Sequence, residues 1–295
     1  MIYIGEINYL NVYPIYYFLK KEIKTHPELN FLEFVYGTPA FLNNGLKLGD
    51  IDISPSSSSY YILNYKSSVL FPDLSISSQK TVKSIYLFSP KPIEDFNEDE
   101  AIYITPETLT SLNLLKVLLI EIYKLDLNNL NFITLPASNN LEFKTEFNGG
   151  KMNGKNFLHI GNNALKYRKF IPEGYFAYDL ADLWYKFTGF PFVFALFILR
   201  KDAYDKKKIE FEILYKYLIK SKENATRGFK EAALSILKQS EYKFISYEEL
   251  INYWTDCLSF DFGEREIAGF NLYCELLYKN RLIDSFPALN FVNFA

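Results

Sequence analysis

The chain has 295 residues, 49% hydrophobic and 23% charged, enough for a large core and more than a single core usually serves, so two lobes are expected. Lys and Arg number 32 against 35 Asp and Glu, a net charge of -3, and apart from Lys206, Lys207 and Lys208 no basic block stands out. That balance argues against nucleic acid or a membrane surface as the main partner.

Ile2, Ile4 and Ile7 predict a strand over 2–7 that begins at once, with no charged leader or apolar export segment before it, so a cytoplasmic protein is expected. Ile15, Phe18 and Leu19 follow Pro14 at helical spacing and predict a helix over 14–23. Asn11 therefore falls in a strand-to-helix turn, where an amide either satisfies local backbone or faces a ligand. A strand is expected over 32–36, then a helix with Thr38 as N-cap, Pro39 at its first position and Gly49 as its stop. "DIDIS" reads as a short strand running into "SPSSSSYYIL", with Ser56, Ser57, Ser58 and Ser59 opening the next helix. This alternation predicts an α/β fold with a parallel or mixed sheet whose ligands bind beyond the carboxyl ends of the strands.

The segment "SPKPIEDFNEDE", with two prolines and five acidic residues, marks the expected crossing between lobes. "AIYIT" is then a strand, "TLTSLNLLKVLLIEIY" a long helix opened by Thr108, Thr110 and Ser111, and "NFITLP" and "NFLHIG" two further strands. "FNGGKMNGKN" reads as a flexible turn whose glycines fit neither a dinucleotide fingerprint nor a P-loop, "NNALKYRK" begins a helix, and "TGFPFVFALFIL" is a turn followed by a buried strand returning to the first lobe. The expected division is 1–91 and 192–295 in the first lobe, with a helical C-terminal part, and 92–191 in the second. From about 203 the pattern is mostly helical, with a Ser246 to Glu249 capping box.

Two hydroxyl-rich helix starts, one per lobe, are the strongest chemical signal. Free N–H groups and a positive dipole end favour carboxylate or phosphate there, and two facing sites suit a ligand with two acidic groups, while for either start alone plain N-capping, which favours Ser and Thr anyway, is the commoner reason. His26 in "KTHPEL" reads as solvated, whereas His159 in "FLHIGNN" ends a strand at the same crevice, with no thiol or carboxylate partner assignable by spacing. Cys257 and Cys274 lack CxxC spacing and are expected as reduced core residues; neither a metal nor a cofactor is expected.

In order along the chain, "INYLNVYP", "GDIDISPSSSSYY", "TVKSIYLFS", "TLTSLNLLKVLL", "HIGNNAL", "DLADLWYKFTGFPFVFALF" and "LSFDFG" resemble the motifs of the chorismate dehydratase family. The resemblance spans nearly the whole chain, and "YLN" with "TGFPFVFA" is its most specific part. It implies the fold of type II periplasmic binding proteins, two α/β lobes with a ligand cleft between them. It also implies an enzyme, a lyase, that dehydrates chorismate to 3-[(1-carboxyvinyl)oxy]benzoate on the futalosine route to menaquinone, with chorismate as its small-molecule partner. Carried over by position, Asn11 and Ser84 fall on the residues most tied to catalysis, and Ser57, Ser58, Thr110 and Ser111 on segments that hold carboxylates. The proton acceptor is then either the substrate's own enolpyruvyl carboxylate or His159.

Two positions depart from the family. Asn162 stands where Asp is usual, which keeps a helix-capping role and removes one as proton acceptor. His159 stands where an aliphatic residue is usual, in a "His-x-Gly" setting like that of 1,4-dihydroxy-6-naphthoate synthase, a sister enzyme of the same route. The cysteine-proline-asparagine-aspartate stretch of that enzyme is missing here. The alternatives are therefore that synthase or a non-catalytic carboxylate-binding protein, the latter disfavoured by the lack of an export signal.

Overall fold

Local signals in the first third of the chain set its elements closely. The computed structural model describes residues 1–135, 154–171 and 173–294. In it β1 (Ile2–Ile7) buries Ile2 and Ile4 completely and α1 (Tyr13–Thr25) carries Pro14 in its first turn. After β2 (Leu32–Gly37), α2 (Pro39–Leu48) starts where Thr38 accepts a hydrogen bond from the Phe41 N–H. It stops at Gly49, whose φ of 95° is open to glycine without strain.

Next come β3 (Ile53–Ser57), α3 (Ser58–Asn64), the long β4 (Ser68–Ser78), β5 (Ile85–Ser89), β6 (Glu100–Ile104) and α4 (Leu109–Glu121). They are followed by β7 (Leu130–Thr134), β8 (Asn156–Ile160), α5 (Gly161–Tyr167), β9 (Phe176–Asp179), α6 (Leu180–Thr188) and β10 (Phe192–Arg200). Four helices close the chain: α7 (Lys201–Lys206), α8 (Lys208–Ile236), α9 (Tyr247–Asn252) and α10 (Glu264–Lys279). The capping box between Ser246 and Glu249 starts α9, and a π-helical turn, Tyr253–Cys257, extends it. Of the turn expected at "FNGGKMNGKN", all but its last three residues lie outside the described residues.

The strands form two five-stranded mixed sheets, ordered β2-β1-β3-β10-β4 and β7-β6-β8-β5-β9. In the first, β1 pairs in parallel with β2 and β3, while β10 runs antiparallel to β3 and β4. Helix α8 packs along α1 and bends at Gly228, where an added Cβ would stand 2.5 Å from the Phe18 ring.

Because β4 belongs to the first sheet and β5 to the second, the chain crosses between sheets at 79–84, one strand earlier than the boundary expected at 91. The acidic, proline-containing segment joins β5 to β6 within the second sheet, a turn whose proline content looks like a linker in sequence. The crossing itself, "QKTVKS", has neither proline nor glycine and is fixed from outside. The Asp179 carboxylate accepts from the Thr81 hydroxyl (2.6 Å) and the Val82 and Lys83 N–H groups while also capping α6 through Ala181 and Asp182. The chain returns over 189–191 into β10.

Cys257 and Cys274 are both free and buried. Among the described residues no group of His, Cys, Asp and Glu could hold a metal ion, and no helix is long and apolar enough to cross a membrane.

Candidate active site

Strand ends from both sheets converge on the crevice between them. The turn leaving β1 supplies Asn11, the end of β3 supplies Ser57, the crossing segment supplies Ser84, and the first turn of α4 supplies Thr110 and Ser111. All five line one cavity of about 80 Å³, walled by apolar residues that include Ile76, Val82, Phe194 and Leu258. Apolar walls of this kind lower the local dielectric around the few polar groups, which strengthens hydrogen bonds made against them.

The two hydroxyl-rich helix starts meet directly. The Ser59 N–H donates to Thr110 Oγ1 (3.0 Å), Ser58 Oγ lies 3.4 Å from the same oxygen, and the Tyr273 hydroxyl lies 3.1 Å from Ser59 Oγ. Ser57 is the N-cap of α3 and accepts from the Tyr60 N–H. Ser56, expected to open the helix with it, is still in β3, and Ser58 is fully buried outside the cavity lining. The serine run thus divides between strand, cap and lobe contact, because only its third and fourth residues have turned into the helix.

His159 is not in this lining. It borders an adjoining outer pocket of about 420 Å³, with Glu6, Tyr36 and Asn163, and its ring centre lies 4.9 Å from that of Tyr167 and 6.0 Å from those of Phe88 and Phe157. Burial among these rings pushes its pKa down to about 3.

Asn162 does not cap its helix. Helix α5 begins one residue earlier, at Gly161, and its N-cap Ile160 makes no side-chain bond. The Asn162 amide instead reaches across the crevice, accepting from the Leu10 N–H (3.1 Å) and donating to the Asn8 carbonyl (3.0 Å). It thereby holds the turn that carries Asn11, and because it uses both ends of the amide, a carboxylate there would lose the donor half.

Three lining or supporting groups carry no chemical signal of their own in the sequence, although Tyr9 opens the "YLN" motif. Tyr9 and Glu107 line both pockets, and burial together with the Glu107 carboxylate raises the Tyr9 phenol above its ordinary range. Gly161, at φ 62°, makes room for the Tyr9 ring, since an added Cβ would stand 2.9 Å from it. The third is Tyr253, whose hydroxyl donates to Ser84 Oγ over 3.0 Å. These contacts join residues 152 to 169 positions apart, beyond any spacing rule; the glycine in "HIG" was the one local hint of a close approach.

Residues 2–279 match the family model described as menaquinone biosynthesis. The chain belongs to this family. A chorismate dehydratase of Thermus thermophilus is 28% identical over 218 residues that cover 68% of this chain and 70% of that protein. A chorismate dehydratase of Campylobacter jejuni is 29% identical over 224 residues, covering 72% and 79%. Among solved structures, a protein of Archaeoglobus fulgidus superposes with TM-score 0.70 at 16% identity, covering 96% of this chain and 98% of its own. The periplasmic aliphatic sulphonate binding protein of Escherichia coli superposes with TM-score 0.66 at 12% identity, covering 100% and 94%. At these identities the likeness shows the fold, a two-lobed α/β architecture of the periplasmic-binding-protein type.

Proposed function

We propose that this menaquinone-biosynthesis family member is a cytoplasmic lyase that dehydrates chorismate to 3-[(1-carboxyvinyl)oxy]benzoate on the futalosine route. The observation that carries this reading is the meeting of Asn11, from the turn after β1, and Ser84, from the crossing between sheets, in one largely apolar cavity with Ser57, Thr110 and Ser111. Two chorismate dehydratases as relatives support it.

In the elimination, the proton leaves the ring carbon that bears the enolpyruvyl ether, hydroxide leaves the neighbouring carbon, and the two depart as water while the ring becomes aromatic. That proton is conjugated through a ring double bond to the ring carboxylate, so its removal spreads negative charge onto the carboxylate oxygens. Donors held against those oxygens stabilise the developing charge, and donors fixed in place beforehand do so without reorganising. The hydroxyls of Ser57, Thr110 and Ser111 are assigned to the carboxylates. Asn11 and Ser84 are assigned to orienting the ring and hydrogen-bonding the departing hydroxide.

The proton acceptor assigned is the substrate's own enolpyruvyl carboxylate. His159, the rival, lies outside the lining that holds Asn11 and Ser84, and an imidazole with a pKa near 3 is a poor acceptor at neutral pH. Incubation with chorismate, followed by detection of the benzoate, tests the whole reading; unchanged chorismate with measurable binding would instead support a carboxylate-binding protein.

A further inference from the structure

We propose that Tyr253 is a positioning residue that aims the Ser84 hydroxyl proton into the cavity, and that the turn carrying it braces both proposed catalytic segments. This rests on the reading that Ser84 contacts chorismate. Tyr253 and Ser84 are 1% and 3% exposed, so their 3.0 Å hydrogen bond is closed to solvent. A serine oxygen carries one proton and two lone pairs. With the phenol donating into one lone pair, and the Ser84 backbone carbonyl held by the Gly161 N–H (2.8 Å), the serine proton is left to point toward the cavity that Ser84 lines. Burial raises the phenol far above its ordinary range, so Tyr253 stays a donor at every working pH. Ser84 is thereby held as a donor, the role that a departing hydroxide requires.

The neighbouring residue extends the brace. Trp254 Nε1–H donates to the Leu10 carbonyl (2.7 Å), the peptide that enters Asn11. Two consecutive side chains of one π-helical turn therefore hold the Ser84 segment and the Asn11 turn, as Gly161 and Asn162 do from the start of α5. π-helical turns recur at functional sites.

Tyr253→Phe keeps the ring and removes the donor. The expected result is a 10- to 100-fold loss in kcat, with the KM for chorismate within about threefold of wild type. The deciding measurement is the same substitution in a Ser84→Ala background, followed by single-turnover conversion with enzyme in excess so that slow rates remain readable. A residue acting through Ser84 adds no further loss there, whereas a merely structural one lowers the rate by the same factor in both backgrounds. Near-normal kcat in Tyr253→Phe, or an equal loss in both backgrounds, would overturn the proposal. A fully active Ser84→Ala variant would overturn the assignment of Ser84 and the role of Tyr253 with it, while wild-type protein that leaves chorismate intact would refute the enzymatic reading itself and this role too.

Discussion

Asp179 offers the sharpest test of how the fold holds the site. The residue is 8% exposed and its carboxylate accepts from five donors: two in the first turn of α6 and three in the crossing segment that ends at Ser84. Asp179→Ala removes all five. Loss of the helix cap costs about 1 kcal/mol. The Val82 N–H belongs to a residue only 1% exposed, and leaving it unpaired adds about 1 to 3 kcal/mol, while Thr81 and Lys83 reach water and add roughly 1 kcal/mol between them. The total is about 3 to 5 kcal/mol. Lys83 also sits at φ 56°, a strained conformation for a side-chain-bearing residue, so without the strap the segment relaxes and carries Ser84 with it. Urea unfolding at neutral pH should show this loss, and the folded fraction should turn over chorismate at least tenfold more slowly. A destabilisation under about 1 kcal/mol would refute the count of bonds, and full turnover in a clearly destabilised variant would sever the link from strap to Ser84.

Three further outcomes follow from the same geometry. Asn11→Ala should remain folded, because the turn contributes little to the core, yet lose about 10² to 10³ in kcat, the usual effect of deleting one positioned donor; circular dichroism and a chorismate assay separate the two. Ser57→Asp and Thr110→Asp each place a negative charge against a bound dianion, so affinity measured by calorimetry should fall steeply in both, and unchanged binding would exclude this cavity as the site. His159→Gln should keep most of its turnover, since the imidazole lies outside the lining, and a loss of 10² to 10⁴ with binding intact would reinstate it as the base. The same variant tests the buried imidazole: its folded pKa lies near 3, so below pH 6.5 only the unfolded chain takes up the proton and wild-type stability falls. The slope is about 1.4 kcal/mol per pH unit, roughly 2 kcal/mol by pH 5, and denaturation curves of His159→Gln should lack it.

What the sequence alone determined was whatever is settled within a few residues. Thr38, Pro39 and Gly49 delimit α2, and Ser246 with Glu249 starts α9, because caps and stops are satisfied by atoms two to four positions away. The alternation of strands and helices was legible for the same reason, and so was the place of Asn11 in a turn. Ser57, Thr110 and Ser111 were marked as candidates by the hydroxyl-rich helix starts they belong to, whereas Ser84 became a candidate only through a family motif, since nothing about a lone serine before a strand marks it as chemical.

Only the tertiary structure decided what those residues do to one another. Whether Ser68–Ser78 and Ile85–Ser89 share a sheet depends on partners 69 to 132 positions away, β10 for one and β8 and β9 for the other, so the crossing at 79–84 could not be read from composition. Asn162 looked like a cap because Asn so often is one. It became a clasp on Asn8 and Leu10 because Gly161 had already started the helix and the opposite lobe presented a free N–H and carbonyl. Burial of His159 among three aromatic rings, which lowers its basicity, and the hydrogen bond from Tyr253 to Ser84 have the same origin. Hydrogen bonding and desolvation act over a few ångströms in space, and the fold alone fixes which residues come within that range.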